Sequence, residues 1–262
     1  MIDYICIIGS GNVAWHLSLY FAEAGCEVLV VGRDHNQAEM FEELHDAIQY
    51  IHGIEEINQG ADLFVLCVHD DAIEEVCQSL DFTPDDTQIL IHTSGSIPAT
   101  ILEPYAVNYG VLWPIMTLTQ GRTPEFPMDI PYVITGNNDL TLNGLSILTD
   151  QISNNFRVMD DAQRKHLHLA AILVNNFTNH LFALTYEYCQ EHQVAFEMLK
   201  PIIEETAYKL SQDHPGLLQT GPAYRNDKKT IEKHLAMLDC HDDLYKFYCL
   251  FTESIIKRYS LP

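Results

Sequence analysis

The residues best suited to bind a phosphate lie near the start of the chain, in the segment GSGNVA at 9–14. It fits G-x-G-x-x-A and separates an apolar run at 2–8 from a helix-like pattern at 12–24. In that position Gly9 allows a tight turn, and Gly11 lets the backbone approach a pyrophosphate at a helix N-terminus. A glycine turn without a ligand is the alternative. The residues expected to bind a dinucleotide here are Gly9, Ser10, Gly11, Asn12 and Val13.

The end of the second expected strand, at 27–31, indicates which dinucleotide is bound. NAD-selective proteins usually carry Asp or Glu next, whereas this chain has Gly32 and then Arg33. Glycine leaves space, and an arginine can pair with a 2′-phosphate, so the pair predicts NADP(H). Arg33 is also the single Lys or Arg before Arg122 in a chain of net charge −23. The alternative is that Arg33 is an ordinary solvated charge.

Two further loops follow apolar strand-like runs, and the carboxyl ends of such strands line cofactor clefts. They are the exit Val68-His69 and the stretch Thr93-Ser94-Gly95. Val68, His69, Thr93 and Ser94 are therefore candidate cofactor contacts, and the Ser94 hydroxyl could bind a polarised substrate oxygen. Ordinary turn residues would give the same pattern.

A polar line on an apolar helix supplies the catalytic candidates. Residues 169–174 are apolar on every side, which predicts a helix buried around its circumference. At 100° per residue, His168, Asn175 and Asn179 fall within about 20° of one line. An imidazole can act as an acid near neutral pH and amides can orient a substrate, but a buried internal network would look alike.

Two other segments contain residue types that can bind a ligand or a metal. Tyr224 and Arg225, within TGPAYRND, could hold a substrate carboxylate or phosphate, although a Gly-Pro turn before a helix start explains most of that segment. His166 and His168 are two residues apart and cannot share a helical face, so they do not form a metal pair. The sequence spacing predicts no metal.

The elements that must position these residues change character along the chain. Apolar strand-like runs at 2–8, 27–31, 62–68, 88–92, 110–112 and 131–135 alternate with helical patterns such as 35–46 and 71–80. This predicts an α/β, doubly wound parallel-sheet Rossmann domain at 1–157. The rest, 158–262, predicts an all-helical domain with segments at about 161–191, 194–212, 228–238 and 242–259.

Composition narrows the possible partners. The chain has 14 basic and 37 acidic residues, and this excess of negative charge argues against nucleic acid and anionic membranes as partners. The seven cysteines are scattered without C-x-x-C spacing, the start does not resemble a signal peptide, and no apolar run reaches the roughly 20 residues of a membrane span. A cytoplasmic protein with a small-molecule substrate is expected.

The motifs GSGNVA, VGR, CVHDDAI, HTSGS, HLHLAAILVNNFTNHL and QTGPAYRND together resemble the Rossmann-like NADP oxidoreductases that carry a DUF2520 helical domain. That group is similar to pyrroline-5-carboxylate reductase, ketopantoate reductase and the β-hydroxyacid dehydrogenases. The resemblance implies a helical domain of the 6-phosphogluconate-dehydrogenase-like C-terminal type, which dimerises and closes the active site. It also implies a homodimer through that domain.

One catalytic group of these relatives is missing. β-Hydroxyacid dehydrogenases have a catalytic Lys four residues before an Asn on the first helix of the second domain. Here Ala171 and Ile172 occupy the positions four before Asn175 and Asn176. Nor does the chain contain the Gly-Ser-Gly-Pro-Ala stretch of a pyrroline-5-carboxylate reductase. Their mechanisms therefore do not transfer to this chain.

The combined expectation is an NADP(H)-dependent oxidoreductase that passes hydride to a C=O or C=N of a small, anionic substrate between the domains. His168 would be the acid, Asn175 and Asn179 would orient the substrate, Ser94 would bind the polarised oxygen, and Arg225 would bind the anionic end. Two alternatives remain open. One is a non-catalytic NADP(H) sensor or scaffold, and the other is a reductase that uses a deazaflavin donor with NADP.

Overall fold

The fold was analysed in a computed structural model, which describes residues 2–124 and 127–259. The chain separates into two compact units, 1–172 and 173–262. The division falls within a long helical run. It lies on the carboxyl side of the domain boundary at 157/158 expected from the sequence, and that boundary stays a prediction. Within the described residues, none of the helices has both the length and the apolar character that crossing a bilayer requires.

The first unit is built on one eight-stranded sheet with the order β3-β2-β1-β4-β5-β6-β7-β8. Every neighbouring pair is parallel except β6 and β7, which are antiparallel. The predicted Rossmann-type sheet is thus confirmed, with one reversed pair. The strands are β1 Tyr4–Ile8, β2 Glu27–Gly32, β3 Ile48–His52, β4 Leu63–Leu66, β5 Ile89–His92, β6 Tyr109–Pro114, β7 Tyr132–Gly136 and β8 Phe156–Val158.

The helices of this unit cover both faces of the sheet. Successive residues of β1 alternate between two apolar clusters, with Ile5 and Ile7 in one and Cys6 and Ile8 in the other. Because both faces are buried, the inner strands are apolar at nearly every position. The helices are α1 Asn12–Glu23, α2 Ala38–Glu42, α3 Ile73–Ser79, α4 Asp139–Ile152 and α5 Asp161–Ala171.

The chain direction across the sheet reverses between β1 and β4. From β1 the chain moves outward to β2 and β3, and then returns to the other side of β1 at β4. The crevice at the carboxyl ends of β1 and β4 is where doubly wound folds bind ligands. The GSGNVA turn follows β1, and Val68 and His69 follow β4.

Several elements differ from the sequence-based expectation. The edge strands β3 and β8 were not predicted, because β3 (IQYIH) mixes polar and apolar residues and β8 has three residues. The helical pattern at 35–46 forms a 3-10 turn and the short α2, and that at 71–80 forms a 3-10 turn and α3.

The described residues of the second unit form helices and loops without a strand, as predicted. A five-residue π-helix, Ile172–Asn176, separates α5 from α6. The helices beyond it are α6 Phe177–Glu191, α7 Lys200–Lys209, α8 Lys228–Met237 and α9 Asp242–Tyr259.

A buried charge anchors α5 to the sheet. The Arg164 side chain is completely buried; its guanidinium pairs with Asp161 at 2.8 Å and donates to the Thr135 hydroxyl at 2.6 Å. It also donates to the carbonyl oxygen of Ile97, and the Asp161 carboxylate accepts the backbone N–H of Ala99. Burial lowers the pKa of Arg164, which the Asp161 carboxylate opposes. The helix is thereby tied both to β7 and to the loop after β5.

We predict that Arg164→Met destabilises the first unit by about 3 kcal/mol, since it leaves the Asp161 carboxylate and the Ile97 carbonyl without their partner. Both tryptophans, Trp15 and Trp113, lie in this unit, so urea denaturation followed by Trp fluorescence measures its stability. Lys165→Met, at an exposed neighbouring position, is the matched control. Equal midpoints for the two variants would show that the ion pair does not stabilise the unit.

Candidate functional site

The turn after β1 has a geometry that glycine alone satisfies at its first position. Gly9 has φ +120°, and a Cβ there would collide with the carbonyl oxygen of Cys67 at the end of β4. Its N–H donates to the Val31 carbonyl at 2.8 Å, which fixes the turn against β2. Gly9 therefore follows β1 directly and contacts both β2 and the residue after β4.

The space above the start of α1 is open. Gly11 precedes the helix, and a Cβ built on it would meet no atom of the described residues within 4 Å. Among residues 2–124 and 127–259, no side chain caps the helix N-terminus, and the first turn has no acidic residue. Uncapped N–H groups facing open space at a helix start form an anion-binding site, so these residues fit the pyrophosphate of a dinucleotide.

A loop that the sequence did not single out supports this turn. The Gln120 backbone N–H donates to the side-chain oxygen of Asn12 at 3.1 Å, and its side-chain amide donates to the Ser10 carbonyl at 2.9 Å. Nearby, the buried His16 ring contacts the Thr119 carbonyl at 3.0 Å, and burial lowers the pKa of His16. The neutral ring therefore donates from Nε2. Asn12 thus positions the turn with its side chain.

The end of β2 differs in detail from the expectation. A Cβ at Gly32 would collide with the Tyr50 hydroxyl, which donates to the Asp34 carbonyl at 2.8 Å. Glycine stands there because the phenol of β3 fills the adjacent space. Arg33 is exposed, and among the described residues it forms no salt bridge.

Two histidines lie next to Arg33 and were not predicted as part of the site. The rings of His35 and His52 stack with centroids 3.6 Å apart, and Nε2 of His52 contacts the Arg33 carbonyl at 2.9 Å. They come from the segment after β2 and from the end of β3. Because the two histidines are far apart in the sequence, no spacing pattern indicates that their rings stack.

The loop after β5 is held by its own hydrogen bonds. The Ser94 hydroxyl oxygen accepts the N–H groups of Ser96 and Ile97, each at 3.1 Å. The Ser94 N–H in turn donates to Nδ1 of His92, whose pKa burial lowers to about 4. His92 is therefore neutral at pH 7, with its proton on Nε2 facing the Pro98 carbonyl. The Ser94 hydroxyl also lies 3.3 Å from the Ser96 hydroxyl, to which it donates because Ser96 donates in turn to Asp70.

His168 lies directly against this loop. A Cβ at Gly95 would be 2.6 Å from Nδ1 of His168 and 2.7 Å from Cε2 of Trp113, so a side chain at 95 would displace both rings. The rings of Trp113 and His168 meet edge to face at 5.4 Å. Trp113, on β6, is a site residue that sequence reasoning missed.

One cleft of about 420 Å³ joins these groups within the first unit. It brings together the helix start after the glycine turn, the exits of β4 and β5, and the imidazole of α5. Its lining residues are Val13, Val68, His69, Asp70, Asp71, Thr93, Ser94, Gly95 and His168.

The other predicted site residues belong to the second unit. Asn175 lies in the π-helix, where the 100° rule behind the proposed polar line does not apply, and both Asn175 and Asn179 are exposed. Tyr224 packs its ring against Tyr259 at 5.5 Å, and Arg225 is exposed. Their roles stay predictions.

The expectation of a helix buried around its circumference is wrong for the single chain. Leu169, Leu173, Val174 and Phe177 are each more than half exposed. An apolar sequence shows that a helix needs cover, but it does not say that its own chain provides it.

Two family models match this chain, and the second begins within the first unit. Residues 4–95 match the family described as NADP oxidoreductase coenzyme F420-dependent, and residues 130–255 match the domain of unknown function DUF2520. A comparison with curated proteins found no match.

Solved structures match over nearly the full length. A putative NADP oxidoreductase from Bacteroides fragilis is 32% identical, with a TM-score of 0.89 over 97% of this chain and 98% of that chain. A reductive aminase from Aspergillus terreus, in complex with NADPH and ethyl levulinate, is 15% identical, with a TM-score of 0.71 over 100% of this chain and 97% of that one. An imine reductase from Myxococcus stipitatus, in complex with NADP⁺, is 12% identical, with a TM-score of 0.67 over 98% and 99%. The latter two share the fold. The extent and identity of the Bacteroides match, together with the two family models, show that the chain belongs to the NADP oxidoreductase family whose members carry a DUF2520 domain.

Proposed function

We propose that this protein is an NADP(H)-dependent reductase that transfers hydride to the C=O or C=N carbon of a small, anionic substrate. The observation that carries the proposal is the shared cleft, where the imidazole of His168 and the hydroxyl of Ser94 lie beside Val13 at the dinucleotide turn. Reductases need a hydride donor and a proton donor on the same substrate bond, and the cleft offers a place for both.

The proposed cofactor site is centred on the turn after β1. The N–H groups at the start of α1 bind the pyrophosphate, and Gly9 and Gly11 leave room for it. Arg33 binds the 2′-phosphate at the end of β2, beside the stacked rings of His35 and His52. Bound NADPH supplies the hydride.

The proposed proton donor is His168. Its ring packs edge to face against Trp113 and occupies the space that a side chain at position 95 would need. As the substrate carbon gains hydride, the substrate oxygen or nitrogen takes a proton from His168. The Ser94 hydroxyl donates a hydrogen bond to the same atom.

The second candidate is a non-catalytic NADP(H) sensor or scaffold. The hydrogen bonding of the loop after β5 favours it, since Ser94 accepts two backbone N–H groups and Ser96 donates to Asp70 at 2.6 Å. A loop whose polar groups are already paired does not require a substrate.

The redox state of the cysteines bears on location. All seven are free thiols, and Cys6, Cys26, Cys77 and Cys189 are buried. Free, packed thiols are typical of reducing compartments, which supports the proposal of a cytoplasmic protein.

We predict that Arg33→Ala weakens NADPH binding by roughly 10- to 100-fold, the range of one charge-assisted pair, and leaves NADH binding nearly unchanged. Fluorescence titration of both dinucleotides measures the difference. Arg157→Ala is the matched control, because Arg157 lies on β8, at the edge of the sheet opposite β3. Equal losses for NADPH and NADH would remove the 2′-phosphate assignment.

We predict that His168→Ala leaves NADPH affinity intact and lowers the rate of NADPH oxidation by about 100-fold or more, since a proton donor contributes that much. The assay uses a panel of small keto acids and cyclic imino acids. His166→Ala, at an exposed position on the same helix, should behave as wild type. A large loss of NADPH affinity would make His168 structural, and an unchanged rate would exclude it as the acid.

We also propose that the protein is a homodimer through its helical unit. The described residues of this unit bury little apolar surface, while Val174, Met198, Ile202 and Leu217 are between 65% and 79% exposed. A unit of this size with so small a core needs additional cover. A second copy of the same surface supplies it.

Accordingly, the wild-type chain should sediment at twice the mass of one chain, and Ile202→Glu should shift it to monomer, because a charge is then buried in the interface. Analytical ultracentrifugation measures the mass. Ile147→Glu is the matched control, since Ile147 is 60% exposed on α4 of the first unit. A monomeric wild type, or a dimer that tolerates Ile202→Glu, contradicts this interface.

A further inference from the structure

Three side chains with metal-binding atoms meet at one end of the helical unit. Glu191 is the last residue of α6, His192 follows it, and His241 directly precedes α9. One ligand atom from each lies within 4.8 Å of the others. The segments are far apart in the chain, which is why sequence spacing alone predicted no metal.

The local packing brings the two imidazoles together. The Tyr188 ring lies 4.4 Å from the His192 ring and 5.0 Å from the His241 ring, measured between centroids. The two imidazoles are 5.7 Å apart by the same measure. Nε2 of His241 is 3.6 Å from a carboxylate oxygen of Glu191. Tyr188 thus serves as a shared platform for both rings.

The distances are close to those of a metal site. Ligands at about 2.1 Å from a tetrahedral ion lie about 3.4 Å from one another, so the three atoms need to approach by up to about 1.4 Å. Glu191 and His192 are exposed, whereas His241 is only 16% exposed at its side chain. Rotation of the two exposed side chains toward a fixed His241 is sufficient.

The chemistry of the set selects the ion. Two imidazoles and one carboxylate suit Zn²⁺ and neighbouring transition metals, whereas Ca²⁺ and Mg²⁺ prefer oxygen ligands. The position at the C-terminal end of α6 adds a favourable dipole for a cation, and the net charge of −23 acts in the same direction.

We propose that Glu191, His192 and His241 bind one Zn²⁺ ion, with water completing the coordination. The ion links the end of α6 to the start of α9 and so stabilises a unit with little core of its own. This site is separate from the proposed reductase site, and it needs neither NADPH nor a substrate.

The test uses the full chain without an affinity tag, stripped of metal with a chelator. Calorimetric titration with Zn²⁺ should give one ion per chain, and His192→Ala and His241→Ala should each weaken binding by more than about 100-fold, because direct ligands contribute more than their supporting residues. Glu191→Gln, which keeps the shape and removes the charge, should weaken it by about tenfold. His166→Ala should bind as wild type.

A second measurement distinguishes loss of zinc binding from misfolding of the variants. Zn²⁺ should raise the thermal midpoint of wild type followed by helical circular dichroism, and should not raise that of the His192→Gln/His241→Gln double variant. Without Zn²⁺, the two proteins should melt alike. Absence of one-to-one binding, or binding that survives loss of both histidines, overturns the proposal. Either result leaves the reductase proposal untouched, because no step of the assay involves NADPH.

Discussion

Arg164 is one of the largest completely buried side chains among the described residues, and it carries a charge. Its guanidinium joins α5 to β7 and to the loop after β5 through Asp161, Thr135 and Ile97. An unpaired charge in that position would cost several kcal/mol, so the helix has one favourable placement against the sheet. His168 is four residues further along the same face of α5, and its contact with Gly95 follows from that placement.

Electrostatic repulsion also constrains the proposed dinucleotide site. A chain of net charge −23 repels a dinucleotide phosphate at long range, so binding depends on short-range donors. In the proposed site, the start of α1 would provide these donors, and its first turn has no acidic residue. The carbonyl oxygen of Cys67 lies against Gly9 and excludes a side chain at that position.

Local patterns predicted the parts of the structure that depend on local chemistry. The buried strands, the glycine turn and the helical second half all have periodicities or residue types that a sequence shows. The strands β3 and β8 lie at the edges, where the pattern is weak. The pairing of His168 with Gly95, and of Tyr50 with Gly32, depends on long-range packing that no spacing rule encodes. The polar line through His168, Asn175 and Asn179 assumed uninterrupted α-helical geometry, which the π-helix at 172–176 interrupts.

The contact between Gly32 and Tyr50 constrains how cofactor preference can evolve in this protein. An aspartate at 32, the usual route to NAD, would need the space that the phenol of Tyr50 occupies. That phenol also donates to the Asp34 carbonyl, so a side chain at 32 that displaces it breaks this hydrogen bond. The effect of a substitution at 32 therefore depends on the side chain at position 50.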